Sequence, residues 1–448
     1  MKPQQIAYIQ LGSFSNANQH IVHSLRKHFP NHEIDIIDVG IQLRAQKRVR
    51  LLNLFFTMKE YGKGILLGRR KIRDCMYLTS YLFKKMSEWA RAAMAQKEYA
   101  FSIQTQSMFD ASRAGLDHFV YTDHTVLAHL HYSHLKHKQA YIASRAWLRL
   151  ERALYRNAAV NFTMSNFVAD SLREDYACPR GKVVLARAGA NTKVNNPVLI
   201  AKYTRKEILF VGVHWERKGG PNLLKAFEQV LIKHPDARLT IVGCKPAIKP
   251  AIASRCRVVG RVEIEEVAAL YNEVSIFCLP STLEPFGFVF IEAMMHKLPI
   301  VATNIGAIPD FLEEGVSGYM VEPGDVDALA AALITLLDSP EKCLQLGEKA
   351  HQMTAKKYTW DTTVATLKEK IVEVIEQPVS ALSVDRSVSA TQFKAPLDKI
   401  KHRGPPMANN YSPVSHRHTQ LSGDNIEISD VDVSNVDERI QGEISHED

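Results

Sequence analysis

From residue 208 to residue 337, short runs rich in β-branched and aromatic residues alternate with helix-period segments, and this alternation limits the fold more than any other feature. Strands are expected at 208–213, 238–242, 257–260, 274–279, 299–303 and 319–321, with helices at 221–233, 264–272, 288–296 and 325–337. Strands and helices in strict alternation predict a doubly wound α/β domain with a parallel sheet. In such sheets ligands sit beyond the carboxyl ends of the strands. The strand at 274–279 is stopped by Pro280, and Pro285 and Gly287 keep the next residues out of a helix until Phe288. Glu284 therefore falls in a loop and Glu292 about one turn into a helix.

This strand, loop and helix order suits a phosphate. The first N–H groups of a helix lack internal partners and carry the positive end of its dipole. The amides of Gly287, Phe288 and Val289 are the candidates, with Glu292 within reach of ribose hydroxyls and Glu284 of sugar hydroxyls. The alternative is a solvated loop charge at Glu284 and a helix-surface carboxylate at Glu292.

Glu284-Pro-Phe-Gly287, four residues, then Glu292-Ala-Met294, followed by Leu298-Pro-Ile-Val-Ala-Thr303, resembles the signature of retaining nucleotide-sugar glycosyltransferases of family 4. The likeness extends to Phe210-Val-Gly212-Val-His-Trp-Glu-Arg217-Lys218-Gly-Gly220 and to Gly315-Val-Ser-Gly318-Tyr-Met-Val-Glu-Pro323-Gly324-Asp325. It is strong over 205–360, weaker over 120–195, and absent from the last seventy or so residues. The resemblance implies the GT-B fold, two Rossmann-like doubly wound α/β domains facing across a cleft. The expected division is an acceptor-side domain at 1–193, a donor-binding domain at 194–359, a helix at 360–376 that crosses back to the first domain, and a disordered C-terminal tail at 377–448.

The first domain opens with a βαβ pattern: a strand at 5–11, a helix at 17–28 and a strand at 33–39. The turn at Gly12-Ser13 can bring backbone close to a phosphate or acceptor, although any βα loop uses such a turn, and no G-x-G-x-x-G follows. Residues 43–95 are helical in pattern, and strands are expected at 99–105 and 118–122. Next come a helix at 138–157, a strand at 160–164, a helix capped by Ser165 and a strand at 183–190, with the linker at 191–197. By resemblance, His124, at the end of the 118–122 strand, is offered to the donor sugar. Histidines 118, 129, 131, 134 and 137 lie nearby, but their spacing matches no zinc pattern and no cysteine or carboxylate set completes a site.

The formal charge of +8 suggests an anionic partner. Residues 44–85 hold twelve Lys and Arg against two Asp and Glu, interleaved with apolar stretches at 51–56 and 77–83. A basic amphipathic surface of this kind can rest on an anionic membrane, and the alternative is a basic face over a domain core. No apolar run approaches the ~20 residues of a transmembrane helix. The opening Met-Lys-Pro-Gln-Gln lacks a signal-peptide core. The six scattered cysteines suggest neither zinc nor disulfides. The expected location is cytoplasmic, peripheral on the inner face of the membrane. After Gln377 aromatic residues almost vanish, so the tail cannot bury enough apolar surface to offset its ordering entropy.

The chemistry implied is transfer of a sugar from a nucleoside-diphosphate sugar to a glycan or lipid-linked acceptor, with no nucleic acid involved. Breaking the sugar–phosphate bond builds negative charge on the diphosphate, so fixed donors aimed there lower the barrier most. Arg217, Lys218 and the helix start after Gly287 can supply them, and the resemblance implies transfer without a metal or other cofactor. The family pattern has arginine right after the glycine of the 208–213 strand. This chain has Val213 there, and Arg217 is the candidate substitute. By resemblance, Glu284 positions the sugar, Gly212 and Phe286 belong to the donor side, and backbone around Arg261 and Val262 contacts the base. Two other readings compete: a GT-B relative that hydrolyses or epimerises the nucleotide sugar, and a nucleotide-sugar-binding regulator.

Overall fold

The structure is a computed structural model that describes residues 4–135, 142–192 and 200–376. The tail expectation for 377–448 and His137 lie outside the described residues, as does most of the 191–197 linker.

The first domain is a six-stranded sheet in the order β2-β1-β3-β4-β5-β6, all parallel. Its strands are β1 Gln4–Gln10, β2 His32–Asp38, β3 Phe101–Thr105, β4 His118–Thr122, β5 Val160–Thr163 and β6 Val183–Leu185. Its helices are α1 Ala17–His28, α2 Val39–Ala45, α3 Lys47–Leu66, α4 Ile72–Met76, α5 Ser80–Met94, α6 Arg145–Asn157 and α7 Asn166–Glu174. β3, β4 and β5 are buried at every residue, as parallel strands covered on both faces must be.

The second domain repeats the plan in the order β12-β11-β10-β7-β8-β9, again all parallel. These strands are β7 Glu207–Val211, β8 Arg238–Val242, β9 Cys256–Gly260, β10 Ile276–Leu279, β11 Ile300–Thr303 and β12 Gly318–Val321. The helices are α8 Gly220–Lys233, α9 Pro250–Ala253, α10 Ile264–Glu273, α11 Phe288–Met295, α12 Val326–Leu337 and α13 Pro340–Thr354. The chain runs from β7 outward through β8 to β9, then returns to place β10 on the other side of β7. The strand order therefore reverses between β7 and β10, and the crevice at such a switch point is where doubly wound sheets bind ligands.

A last helix, α14 Trp360–Glu376, packs against α1 of the first domain. Ser24 Oγ donates to the Trp360 carbonyl at 3.2 Å, and Lys27 Nζ pairs with Asp361 at 2.7 Å. No helix among the described residues is long and apolar enough to cross a membrane.

Three local expectations change. Of the helix expected over 138–157, residues 138–141 lie outside the described residues, and the described helix begins at Arg145, where Ser144 caps it, its Oγ accepting from Trp147 N. The strand expected over 183–190 ends at Leu185, because Arg187 turns into the left-handed region at φ 61. Helix α13 was not anticipated, although Ser339 accepts from Lys342 N as its N-cap and Pro340 stands at the first turn.

The basic stretch at 44–85 divides. Tyr77, Leu78, Leu82 and Phe83 pack into the first domain's core, as the core alternative required. The 51–56 stretch does not follow: Leu51 is 73% exposed and Phe55 64%, and Leu66 at the end of α3 is 80% exposed.

Candidate active site

The two loops that flank the switch point carry the charged side chains. After β7 the chain passes Gly212 and enters the loop 213–219, whose Lys218 and Arg217 are both buried. After β10 it enters the loop of Glu284. The loops are knitted together by backbone: Thr282 N donates to the Arg217 carbonyl at 2.8 Å, and Arg217 Nη1 donates to the Leu283 carbonyl at 3.0 Å. Arg217 is thereby tied to the Glu284 loop. Val213, where the family pattern has arginine, is partly exposed.

Lys218 Nζ reaches Glu284 Oε2 at 2.6 Å, and Ser281 Oγ donates to the same oxygen at 3.0 Å. Both bonds fall on Oε2. The lysine stem lies across Gly212, where a Cβ would stand 2.9 Å from Lys218 Cγ. A buried carboxylate without a cation would carry a large desolvation cost, so the pair explains why a charged loop residue can be enclosed.

Gly287 caps α11 at φ 90, a conformation only glycine adopts readily. The amides of Gly287, Phe288 and Val289 head this helix beside Glu284, the arrangement expected of an anion site. Phe286 is buried and packs edge-on to Phe288 at 5.1 Å, fixing the loop to the helix start.

Glu292, one turn into α11, is also buried. Its Oε2 accepts from Tyr271 Oη at 3.3 Å and its Oε1 from the backbone N of Asn191 at 3.4 Å. Burial pushes its carboxyl up to about 7, against a pull downward from the Asn191 and Tyr271 hydrogen bonds. Arg261 and Val262 follow β9, the first exposed and the second half-buried. The stem of the exposed Lys245 lies against Gly260 just before them.

His124 comes from the first domain, just past β4. Its ring stacks on Phe167 at 6.2 Å, meets His129 edge-on at 4.6 Å and lies 6.2 Å from the Tyr132 ring. Tyr132 in turn donates to the carbonyl of Glu284 at 2.9 Å. The structure thus brings His124 within one aromatic neighbour of the Glu284 loop. The other histidines have separate partners. His118 meets Ser102 in the core, and burial lowers it to about 4. His129 meets the Val126 carbonyl and is likewise lowered to about 4. His131 pairs with Asp175, and His134 contacts the Thr282 carbonyl. Among the described residues no three His, Cys, Asp or Glu side chains form a group that could hold a metal. All six cysteines are free.

Gly12 stands apart from these donors: its amide donates to Asp38 Oδ1 at 3.2 Å. The β1–α1 loop reaches the site through Asn191 instead. Asn191 Nδ2 donates to the Ser15 carbonyl at 3.1 Å, and its Oδ1 accepts from Trp360 Nε1 at 3.2 Å. Asn191, Tyr132, Tyr271 and Lys245 were not singled out from sequence. Asn191 sits in a polar linker and Tyr132 among histidines, and neither position has a local pattern that signals a contact across a cleft.

Residues 193–353 match the family described as glycosyl transferases group 1. Glycogen synthase from Mycobacterium tuberculosis (strain ATCC 25618 / H37Rv) is 32% identical over 173 residues, which cover 37% of this chain and 42% of that protein. The MMP alpha-(1->4)-mannosyltransferase of Mycolicibacterium hassiacum is 25% identical over 274 residues, 56% of this chain and 66% of that enzyme. The chain thus spans less than half the length of the glycogen synthase. Among solved structures, sucrose-phosphate synthase from Thermosynechococcus elongatus superposes with a TM-score of 0.62 at 18% identity, covering 83% of this chain and 99% of that one. WaaG, a glycosyltransferase involved in lipopolysaccharide biosynthesis, superposes with a TM-score of 0.57 at 13% identity, covering 83% and 100%. This chain therefore carries a glycosyl transferases group 1 domain within a GT-B fold.

Proposed function

We propose that this protein is a retaining glycosyltransferase that moves a sugar from a nucleoside-diphosphate sugar to a glycan or lipid-linked acceptor, in polysaccharide or glycolipid biosynthesis. The observation that carries the reading is the buried Lys218–Glu284 pair at the switch point, beside the start of α11, the helix that carries Glu292 about one turn in. Glu292 accepts from the ribose, the amides after Gly287 and the cations Arg217 and Lys218 meet the diphosphate, and Glu284 Oε1 accepts from the sugar. As the sugar–phosphate bond breaks, charge grows on the diphosphate, and donors already in place there lower the barrier without reorganising. Retention follows if the acceptor attacks from the face the diphosphate leaves, with the departing phosphate taking the acceptor proton. Transfer then needs neither a carboxylate nucleophile nor a metal.

The acceptor is at a membrane surface in this reading, and the enzyme is cytoplasmic and peripheral. Support comes from the exposed Leu51, Phe55 and Leu66 of α3, set among exposed Lys47, Arg48, Arg50, Lys59 and Lys63. A panel of nucleotide sugars tests the enzyme reading, with thermal shift for binding and detection of free sugar and free nucleotide for turnover. One donor should stabilise the protein and be consumed only when an acceptor is supplied. Release of free sugar without acceptor would instead mean hydrolysis, and binding without turnover a regulator.

A further inference from the structure

The first domain touches the Glu284 loop at two neighbouring carbonyls. Tyr132 Oη donates to the Glu284 carbonyl at 2.9 Å, and His134 Nε2 stands 2.6 Å from the Thr282 carbonyl. Residue 132 meets 284 and residue 134 meets 282, so the two segments pass antiparallel and alternate side chains reach one loop. The tyrosine hydroxyl sits in a fitted socket. Gly306 walls it at φ 53, and a Cβ there would lie 2.3 Å from the Glu284 carbonyl oxygen and 2.9 Å from Tyr132 Oη. On its other side the ring packs on Phe167 at 5.2 Å and on His124 and His129 at 6.2 and 6.3 Å. Burial raises the hydroxyl's pKa, so it stays a donor.

Glu284 is consequently held from both domains. Lys218 and Ser281, in the second, hold its carboxylate, while Tyr132, in the first, holds its carbonyl. Glu292 and the start of α11 receive no bond from Tyr132. We infer that Tyr132 is a positioning residue that fixes Glu284 for the donor's sugar, so that its one bond serves recognition of the sugar, while recognition of the nucleoside diphosphate, whose Glu292 is held by Asn191 and Tyr271, does not depend on it. The inference rests on the reading of Glu284 as the sugar-facing carboxylate.

Tyr132→Phe in the full chain keeps the ring packing and removes the one bond. Two measurements test it: calorimetric titration with UDP against UDP-glucose and with ADP against ADP-glucose, and hydrogen exchange of the unliganded protein over residues 282–286. The variant should bind the nucleoside diphosphate within about twofold of wild type, while its preference for the nucleotide sugar over the diphosphate falls about three- to tenfold, the effect of one lost hydrogen bond. Its 282–286 amides should exchange faster while β7, β10 and the start of α11 are unchanged. An unchanged preference, or equal losses for diphosphate and nucleotide sugar, would overturn the inference. If wild type binds none of the four probes, the donor reading loses its support, and exchange alone decides: unchanged exchange in the variant overturns Tyr132 as the residue that holds the loop.

Discussion

Lys218 Nζ stands 2.6 Å from Glu284 Oε2, and the two residues arrive from loops on opposite sides of the strand reversal. Lys218→Met keeps the stem across Gly212 but strands the buried carboxylate. Breaking such a pair costs about 3–5 kcal/mol, so thermal unfolding should shift sharply downward. Adding Glu284→Gln should restore much of that stability, because the uncompensated charge is gone. Transfer should stay at least ~100-fold slower in both variants, the scale of a lost electrostatic donor. A double variant no more stable than the single would mean that the pair is not the source of the loss.

In the proposed reading, with Glu292 on the ribose, that residue gives the donor site a pH dependence. Its carboxyl is raised to about 7, so between the usual carboxylate range and that value the folded chain holds a proton that the unfolded chain has released. The stability this group contributes is therefore fully present at low pH and is lost as pH rises through about 7. Binding runs the other way, since only the ionised carboxylate accepts from two ribose hydroxyls. Affinity for a nucleoside diphosphate should rise by up to about tenfold per pH unit below 7 and level off above it. Glu292→Gln should flatten that profile and weaken binding at pH 8. Titration calorimetry at pH 6, 7 and 8 reads both effects, and a profile that persists in the variant would place the titrating group elsewhere.

What sequence revealed and what it hid follow from how local each signal is. The loop and helix around Glu284 and Glu292 were legible because Pro280, Pro285 and Gly287 punctuate the segment, and its two carboxylates are close in the chain. The βα alternation of the second domain was legible for the same reason. Tyr132 and Glu284 are joined only by the docking of two domains, a relationship no periodicity carries. Asn191 is similar: its backbone serves Glu292 while its side chain serves Ser15 and Trp360. The 44–85 stretch was ambiguous because helix-period apolar residues look alike whether they meet a core or solvent. Tyr77 to Phe83 meet the core and Leu51 to Phe55 largely do not.

Activity should survive an excess of chelator. In the proposed reading the diphosphate's charge is met by Arg217, Lys218 and the helix start, which can do what a divalent ion does elsewhere. Turnover with and without EDTA, on protein dialysed beforehand, checks this. Complete loss that one divalent metal restores would show that a metal completes the diphosphate site after all.

Membrane attachment should have two separable parts. Exposed Arg48, Arg50 and Lys63 supply charge along α3, each Lys or Arg contributing about 1 kcal/mol at an anionic surface. Arg70 is different: it donates to the Ile142 carbonyl at 2.8 Å and lies over the Tyr61 ring, so it belongs to the domain's own packing and should be left intact. Leu51, Phe55 and Leu66 supply apolar surface, and burying a side chain of that size is worth about 1.5–3 kcal/mol. Charge attraction is screened by salt while apolar burial is not. The intact protein should sediment with vesicles containing phosphatidylglycerol, not with pure phosphatidylcholine, and should keep part of that binding at 0.5 M salt. Changing Arg48, Arg50 and Lys63 to Gln should weaken attachment at low salt without altering thermal unfolding. Changing Leu51 and Phe55 to Ser should leave attachment at low salt but abolish the salt-resistant part. Equal recovery of wild type in the supernatant with both vesicle types would make the exposed face of α3 an ordinary solvated surface and move the acceptor toward a soluble glycan.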